Sequence, residues 1–181
     1  FPVGIGGGHD LTFPFVRAVA ERAEAALAGV YLDAHLDVRA EAGSGMPFRR
    51  LVEDCGVREL RAHGLDPVVN SAEHMEWFEA HGGRVEPPAA PARWTWPKGD
   101  AFFSFDLDVI DQAFAPGVSA MNPCGIAPAD ALGWARAAGA HEGVRCFDIM
   151  ELCPPHDEGA RTARLAARIF LAFLCGFGER S

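Results

Sequence analysis

Apolar residues along this chain fall in short unbroken blocks instead of alternating with polar ones. Val30-Tyr31-Leu32, Ala101–Phe105 and Val144–Ile149 are three such blocks, and Val3–Gly6 is a fourth that ends in glycines. A strand apolar at every position belongs to a sheet covered on both faces. Between the blocks lie segments with helical character. Leu11–Leu27 is rich in Ala, Glu, Arg and Leu, which predicts one long helix. Pro47–Cys55 predicts a short one. Ser71 is placed to cap a helix over Glu73–His81, with Gly82-Gly83 to stop it. Pro128 to about Ala138 starts with a proline near the first turn, and Ala160–Phe173 supplies the last helix. Pro67–Val69 is a further, short strand candidate. Pro87–Pro97, with four prolines and two tryptophans, reads as a surface loop.

Strands alternating with helices predict parallel βαβ units and a three-layer α/β/α fold around a mainly parallel sheet. The 181 residues are expected to form a single domain, 1–181. In such folds the working residues gather at the carboxyl ends of the strands.

Composition narrows the function classes. Apolar residues make up 49% and charged residues 23%, as in ordinary globular proteins. No run approaches the roughly 18 apolar residues of a membrane span, and nothing at Phe1–Ile5 reads as an export signal. A net charge of −9 argues against nucleic acid as a partner. The five cysteines, Cys55, Cys124, Cys146, Cys153 and Cys175, are odd in number and irregularly spaced. That pattern points to reduced, buried structural thiols and a cytoplasmic setting rather than to disulfides.

Three motifs carry chemistry. Asp33-Ala34-His35-Leu36-Asp37 follows the strand Val30–Leu32 directly. Alternate side chains of an extended chain point the same way, so Asp33, His35 and Asp37 are expected to converge. Asp106-Leu107-Asp108 repeats the arrangement after Phe102–Phe105. Charges at the end of a buried strand are costly unless something neutralises them. The third motif, Gly6-Gly7-Gly8-His9-Asp10, places a histidine in a glycine-rich turn between strand and helix. It lacks the spacing of a phosphate-binding loop. Six ligand-type residues, His9, Asp33, His35, Asp37, Asp106 and Asp108, exceed what one cation with open positions needs. They suit two metals, which together make water a nucleophile near neutral pH. Oxygen-rich donors, two imidazoles and no thiolate favour Mn2+ over structural Zn2+. The five other histidines, His63, His74, His81, His141 and His156, read as surface or internally satisfied residues, and Asp111 as the cap of a turn.

Taken together, these motifs resemble the signatures of the ureohydrolase superfamily of arginases, agmatinases and formimidoylglutamases. The resemblance rests on Gly7–Asp10, Asp33–Asp37, Ser104–Asp111 with its continuation Ala115–Ala120, and Asp148–Pro154. It spans nearly the whole chain and implies an arginase-like fold. It also implies two Mn2+ ions, with Asp33 and Asp106 as bridging carboxylates. His9 and Asp37 would complete one site, and His35 and Asp108 the other. Glu151 resembles the carboxylate that holds the amidine or guanidine group of the substrate. In such a hydrolysis Asp108 is placed to help move the proton to the leaving amine.

Ser44-Gly45-Met46-Pro47-Phe48-Arg49 is more similar to formimidoylglutamases than to the other branches. The implied reaction is hydrolysis of N-formimidoyl-L-glutamate to L-glutamate and formamide, a step of histidine breakdown. Ser44 and Arg49 (or Arg50) are the implied substrate contacts. Two alternatives stay open: a guanidino hydrolase releasing urea, and a non-catalytic relative that keeps the metals. Members of the family form oligomers, so a homo-oligomer is an expectation. Two departures stand out. Ser44 stands where arginases carry a proton-shuttling histidine. The chain also begins almost at the first motif, where relatives carry an N-terminal segment.

Overall fold

The computed structural model describes residues 1–87 and 94–180. Its centre is a six-stranded, all-parallel sheet. The strands are β1 (Val3–Ile5), β2 (Ala28–Leu32), β3 (Leu60–His63), β4 (Gly83–Val85), β5 (Ala101–Asp106) and β6 (Val144–Met150). Their spatial order is β1-β6-β5-β2-β3-β4. The described helices are α1 (Thr12–Ala20), α2 (Pro47–Cys55), α3 (Ala72–Ala80), α4 (Pro128–Ala140) and α5 (Arg161–Phe177). They cover both faces, giving the expected three-layer α/β/α fold.

The unbroken apolar blocks now have a physical explanation. Each central strand divides its side chains between two cores. Val30 and Leu32 of β2, Phe103 and Phe105 of β5, and Phe147 and Ile149 of β6 pack with Trp134 and Ala138 of α4 and Ile169 and Phe173 of α5. Tyr31, Phe102 and Cys146, the intervening residues, pack with Val16 of α1, Phe48 and Leu51 of α2 and Phe78 of α3. Aromatic rings bind each layer to the sheet. Phe147 stacks on Phe173 at 4.2 Å between ring centres, and Tyr31 on Phe48 at 3.7 Å. Gly29 makes the second core possible. A methyl group there would sit 2.4 Å from the Phe102 ring and 2.5 Å from Leu60 on the two neighbouring strands.

Several elements differ from expectation. Helix α1 stops at Ala20 instead of Leu27. Leu27 is buried, and the Ala28 N–H donates to the Asp100 carbonyl at 2.9 Å. Residues 21–27 therefore serve to carry the chain back to the start of β2, and tertiary demand overrides the helix propensity of an Ala-rich stretch. Pro67–Val69 is a turn, with the Val68 N–H donating to Asp66 Oδ1 and the Val68 side chain exposed. The strand in that region is β3, whose Arg61 and His63 break the apolar pattern that would have revealed it. Gly83 does not only stop a helix; it opens the edge strand β4. Ser71 caps α3 as expected, accepting from the His74 N–H at 3.2 Å.

Of the expected surface loop, residues 88–93 lie outside the described residues. Its two tryptophans are not free in solvent: Trp94 stacks on His63 and Trp134, and Trp96 on His141. All five cysteines are free thiols, but only Cys146 is fully buried; Cys124 and Cys175 are exposed. Among the described residues no helix is long and apolar enough to cross a membrane.

Candidate metal centre at the carboxyl edge of the sheet

Strands β2 and β5 are neighbours, and both end in the same local device. The Asp33 Oδ1 accepts the His35 N–H at 2.6 Å, and the Asp106 Oδ1 accepts the Asp108 N–H at 2.7 Å. An aspartate that captures the N–H two residues on turns the backbone sharply. It also leaves its second oxygen free. Both free oxygens point at the same atom: His9 Nδ1 lies 3.2 Å from Asp33 Oδ2 and 3.0 Å from Asp106 Oδ2. Asp37 Oδ2 approaches the same nitrogen at 2.9 Å. His9 arrives from the far side of the sheet, on a single 3-10 turn after β1 and the three glycines. On the other flank, His35 Nδ1 lies 3.1 Å from Asp108 Oδ2 and 3.4 Å from Asp33 Oδ1. Two groups result: His9, Asp33, Asp37 and Asp106, and Asp33, His35 and Asp108. Asp33 belongs to both.

This cluster is an electrostatic problem that cations would solve. Burial and the neighbouring Asp108 and Asp33 charges push Asp106 well above the usual carboxylate range, and burial with Asp33 raises Asp108. Burial alone would lower the His9 pKa, but contacts with Asp106, Asp33 and Asp37 raise it well above its ordinary value. Asp108 and Asp33 lift His35 to about 11. The groups thus compensate one another with protons. Yet His9 Nδ1, Asp33 Oδ2 and Asp108 Oδ1 are buried without a hydrogen-bond partner. Buried polar atoms are normally satisfied. Atoms of these types converging unsatisfied fit divalent cations, whose binding requires neutral imidazole and charged carboxylate.

Four contributing residues escaped the sequence reading as site residues. Ser104, two positions before Asp106, donates to Asp148 Oδ1 at 2.5 Å. Thr12 donates to Asp148 Oδ2 at 2.9 Å. The Ser104 hydroxyl proton is thereby committed, so its oxygen accepts from His9 Nε2, 3.0 Å away. In the neutral ring this places the proton on Nε2 and leaves the Nδ1 lone pair facing the carboxylates. A charged residue inside the apolar run Val144–Ile149 was the available signal for Asp148. Ser119 is the fourth: it donates to Glu151 Oε2 at 2.7 Å, while the His9 N–H donates to Glu151 Oε1 at 2.7 Å. Glu151 holds a left-handed backbone (φ +66°), fixed by its own N–H donating to the Gly7 carbonyl at 2.7 Å.

A polar cavity of about 220 Å3 opens over the cluster, with Asp108, Glu151, Ser44, Ser119 and Arg39 among its lining residues. Arg49, expected there, is elsewhere. It sits on α2, paired with Glu53 at 3.0 Å and lying over the Trp77 ring. Arg50 likewise pairs with Asp54 at 2.6 Å. Helix α2 turns both arginines away from the cavity. Asp111 is also outside the cluster and accepts from the Ala113 N–H, as a turn cap does.

An all-parallel, doubly covered sheet with paired aspartate turns and a shared imidazole at its carboxyl edge defines an α/β protein with a candidate binuclear metal centre. Residues 1–176 match the model of the arginase family, and the chain belongs to that family. The formimidoylglutamase of Halobacterium salinarum is 32% identical over 191 aligned positions, covering 97% of this chain and 62% of that protein. The guanidinobutyrase of Pseudomonas aeruginosa is 31% identical, covering 96% of this chain and 60% of that one. The crystal structure of Trypanosoma cruzi formiminoglutamase with Mn2+ superposes with a TM-score of 0.93 at 29% identity, covering all of this chain and 66% of that one. The chain thus spans about three-fifths of the length of the curated relatives it matches.

Proposed function

We propose that this chain is the metal-binding core of a binuclear Mn2+-dependent hydrolase that cleaves the C–N bond of a formimidoyl or guanidino substrate. N-formimidoyl-L-glutamate, giving L-glutamate and formamide, is the preferred substrate. The observation that carries the reading is convergence: His9, Asp33, His35, Asp37, Asp106 and Asp108 meet beneath one cavity that Glu151 also lines. In this reading Asp33 and Asp106 would help to hold both cations. His9 and Asp37 complete one position, His35 and Asp108 the other. Bound there, the cations supply a water activated at neutral pH.

The chain's own residues do the rest. Glu151, held by Ser119 and the His9 N–H, keeps free lone pairs toward the cavity and grips the cationic amidine nitrogens. Asp108 has one oxygen without a hydrogen-bond partner, which suits it to carry a proton to the leaving amine. Ser44 lines the cavity where arginases carry a histidine, so proton transfer rests on Asp108.

The test is a substrate panel on Mn2+-loaded protein. Formamide release from N-formimidoyl-L-glutamate is expected to exceed urea release from 4-guanidinobutyrate, agmatine or arginine. A second reading, guanidino-acid hydrolysis, is motivated by the equal similarity to the guanidinobutyrase; dominant urea release would select it. Protein holding two Mn2+ per chain but inert on every member would overturn both readings in favour of a non-catalytic relative.

A further inference from the structure

We infer that Asn70 is the positioning residue for His35, and through it for one of the two proposed cation positions. The inference rests on the binuclear reading of the site and adds to it the device that aims one of its ligands.

A single amide side chain touches both peptide groups that flank His35. Asn70 Oδ1 accepts the Leu36 N–H at 2.9 Å, and Asn70 Nδ2 donates to the Ala34 carbonyl at 2.9 Å. The Ala34 carbonyl belongs to the peptide plane before the His35 Cα, and the Leu36 N–H to the plane after it. The relation between those planes is set by φ and ψ of His35, the two soft torsions of its backbone. Holding both planes therefore fixes the direction in which the His35 side chain leaves the chain. The clamp has a firm base. The other Nδ2 proton goes to the Asp66 carbonyl at 2.8 Å, and the Asp66 N–H donates to the Ala34 carbonyl at 3.0 Å. The next residue, Ser71, caps α3. Asparagine offers one acceptor oxygen and two donor protons on a short stem, and all are engaged here.

His35 needs such a clamp more than His9 does. The His9 ring is buried, meets the Phe48 ring edge-on at 5.2 Å and has Ser104 against its Nε2. The His35 side chain is 24% exposed. It lines the cavity over the cluster and also a second opening of about 80 Å3, which Val69 and Met121 share. Open space beside the ring leaves its aim to the backbone.

The test is Mn2+ binding followed by calorimetry and by electron paramagnetic resonance, with thermal melts of the metal-free protein to check folding. The wild type is expected to take up two Mn2+ per chain and to show the spectrum of a spin-coupled pair. Asn70→Ala should weaken one of the two about tenfold, the lower end of outer-shell effects on metal affinity, and give an isolated-ion spectrum at limiting Mn2+. His35→Ala should lose the same position. The deciding measurement is the double variant. In a His35→Ala background, Asn70→Ala should change the remaining Mn2+ affinity by less than about twofold, because a residue acting only through His35 has nothing left to act on. Asn70→Asp, of the same size but without the two donors, carries the same expectations where Asn70→Ala does not fold. Equal weakening of both positions, an undiminished effect in the absence of His35, or wild-type binding in the Asn70 variants overturns the inference and leaves the binuclear reading standing. A wild type that takes up no Mn2+ overturns that reading and this inference with it.

Discussion

Two cavities lie at opposite ends of the sheet, and the larger has fewer ligand-type side chains in its lining. At the amino end about 570 Å3 opens beside α1, lined by Pro2, Phe15, Ala18 and Val19 and bounded by the ion pair of Arg145 with Asp100 at 2.7 Å. At the carboxyl end only about 220 Å3 opens, but His35, Asp37, Asp106, Asp108 and Glu151 all face it. Volume is a poor guide to function; convergent polar groups are a better one. The difference has a structural cause. At the carboxyl edge each strand releases its chain into a loop whose backbone N–H groups are unspent, and carboxylates such as Asp33 and Asp106 capture them. At the amino edge Ala28 enters the ladder with its N–H already spent on the Asp100 carbonyl.

The comparison is broken most severely by Asp33→Asn. Asp33 is the one residue common to both ligand groups. Its loss should exceed the roughly 100-fold drop in metal affinity typical of outer-shell changes. Elemental analysis after dialysis should show the Mn2+ content collapse; two equivalents retained would mean that the carboxyl edge is not a metal site.

A second test contrasts histidines on the same edge. Carboxylates raise His9 and His35, but His63 is stacked at 3.8 Å on Trp94, and burial, with Arg61 nearby, lowers it to about 3. Its folded pKa lies below the unfolded value of about 6.5. Its contribution is therefore intact above about pH 6.5 and is lost as pH falls toward 3, at up to about 1.4 kcal/mol per pH unit. Between pH 7 and pH 5 the loss is about 2 kcal/mol. Urea unfolding of metal-free protein at pH 7 and pH 5 should show the wild type losing about 2 kcal/mol more than His63→Phe. Equal pH dependence in the two proteins would place the proton uptake elsewhere.

Ser104→Ala should act more mildly. It removes the acceptor for His9 Nε2 and frees the ring to adopt the other tautomer. Mn2+ affinity measured by calorimetry should fall about tenfold, the lower end of outer-shell effects. Affinity equal to wild type would show that the Ser104–Asp148 pair is structural only. The smallest effect belongs to the amino-end cavity. Ala18→Ser should alter stability by no more than about 0.5 kcal/mol and leave Mn2+ binding untouched, as monitored by thermal melts with and without metal.

Much of the candidate site is legible in the sequence, because its motifs follow apolar blocks directly. Asp33, His35 and Asp37 close the block that became β2, and Asp106 and Asp108 the block that became β5. A strand end fixes where such residues sit along the sheet. Arg39 and Ser119 were not legible in that way. They lie on loops, and the direction of a loop side chain depends on contacts, such as the close approach of the Arg39 stem to Gly45, rather than on periodicity. Arg49 misled for the complementary reason: its neighbours in sequence fit a substrate-binding segment, but α2 turned it toward Glu53 and Trp77. Strands β3 and β4 were missed because they are short, near the sheet edge and interrupted by polar residues.

The sequence by itself determined the layer architecture, the strand-end positions of the carboxylates and imidazoles, and the family. Those follow from local pattern, since an apolar block and the residue after it travel together. Only the tertiary structure decided who meets whom. Strands β1 and β2 are consecutive along the chain, yet β6 and β5 stand between them, and that order is what carries His9 within 3.2 Å of both Asp33 and Asp106. Strand order is set by how two helical layers bury both faces at once, a property of the whole packed chain that no short segment encodes.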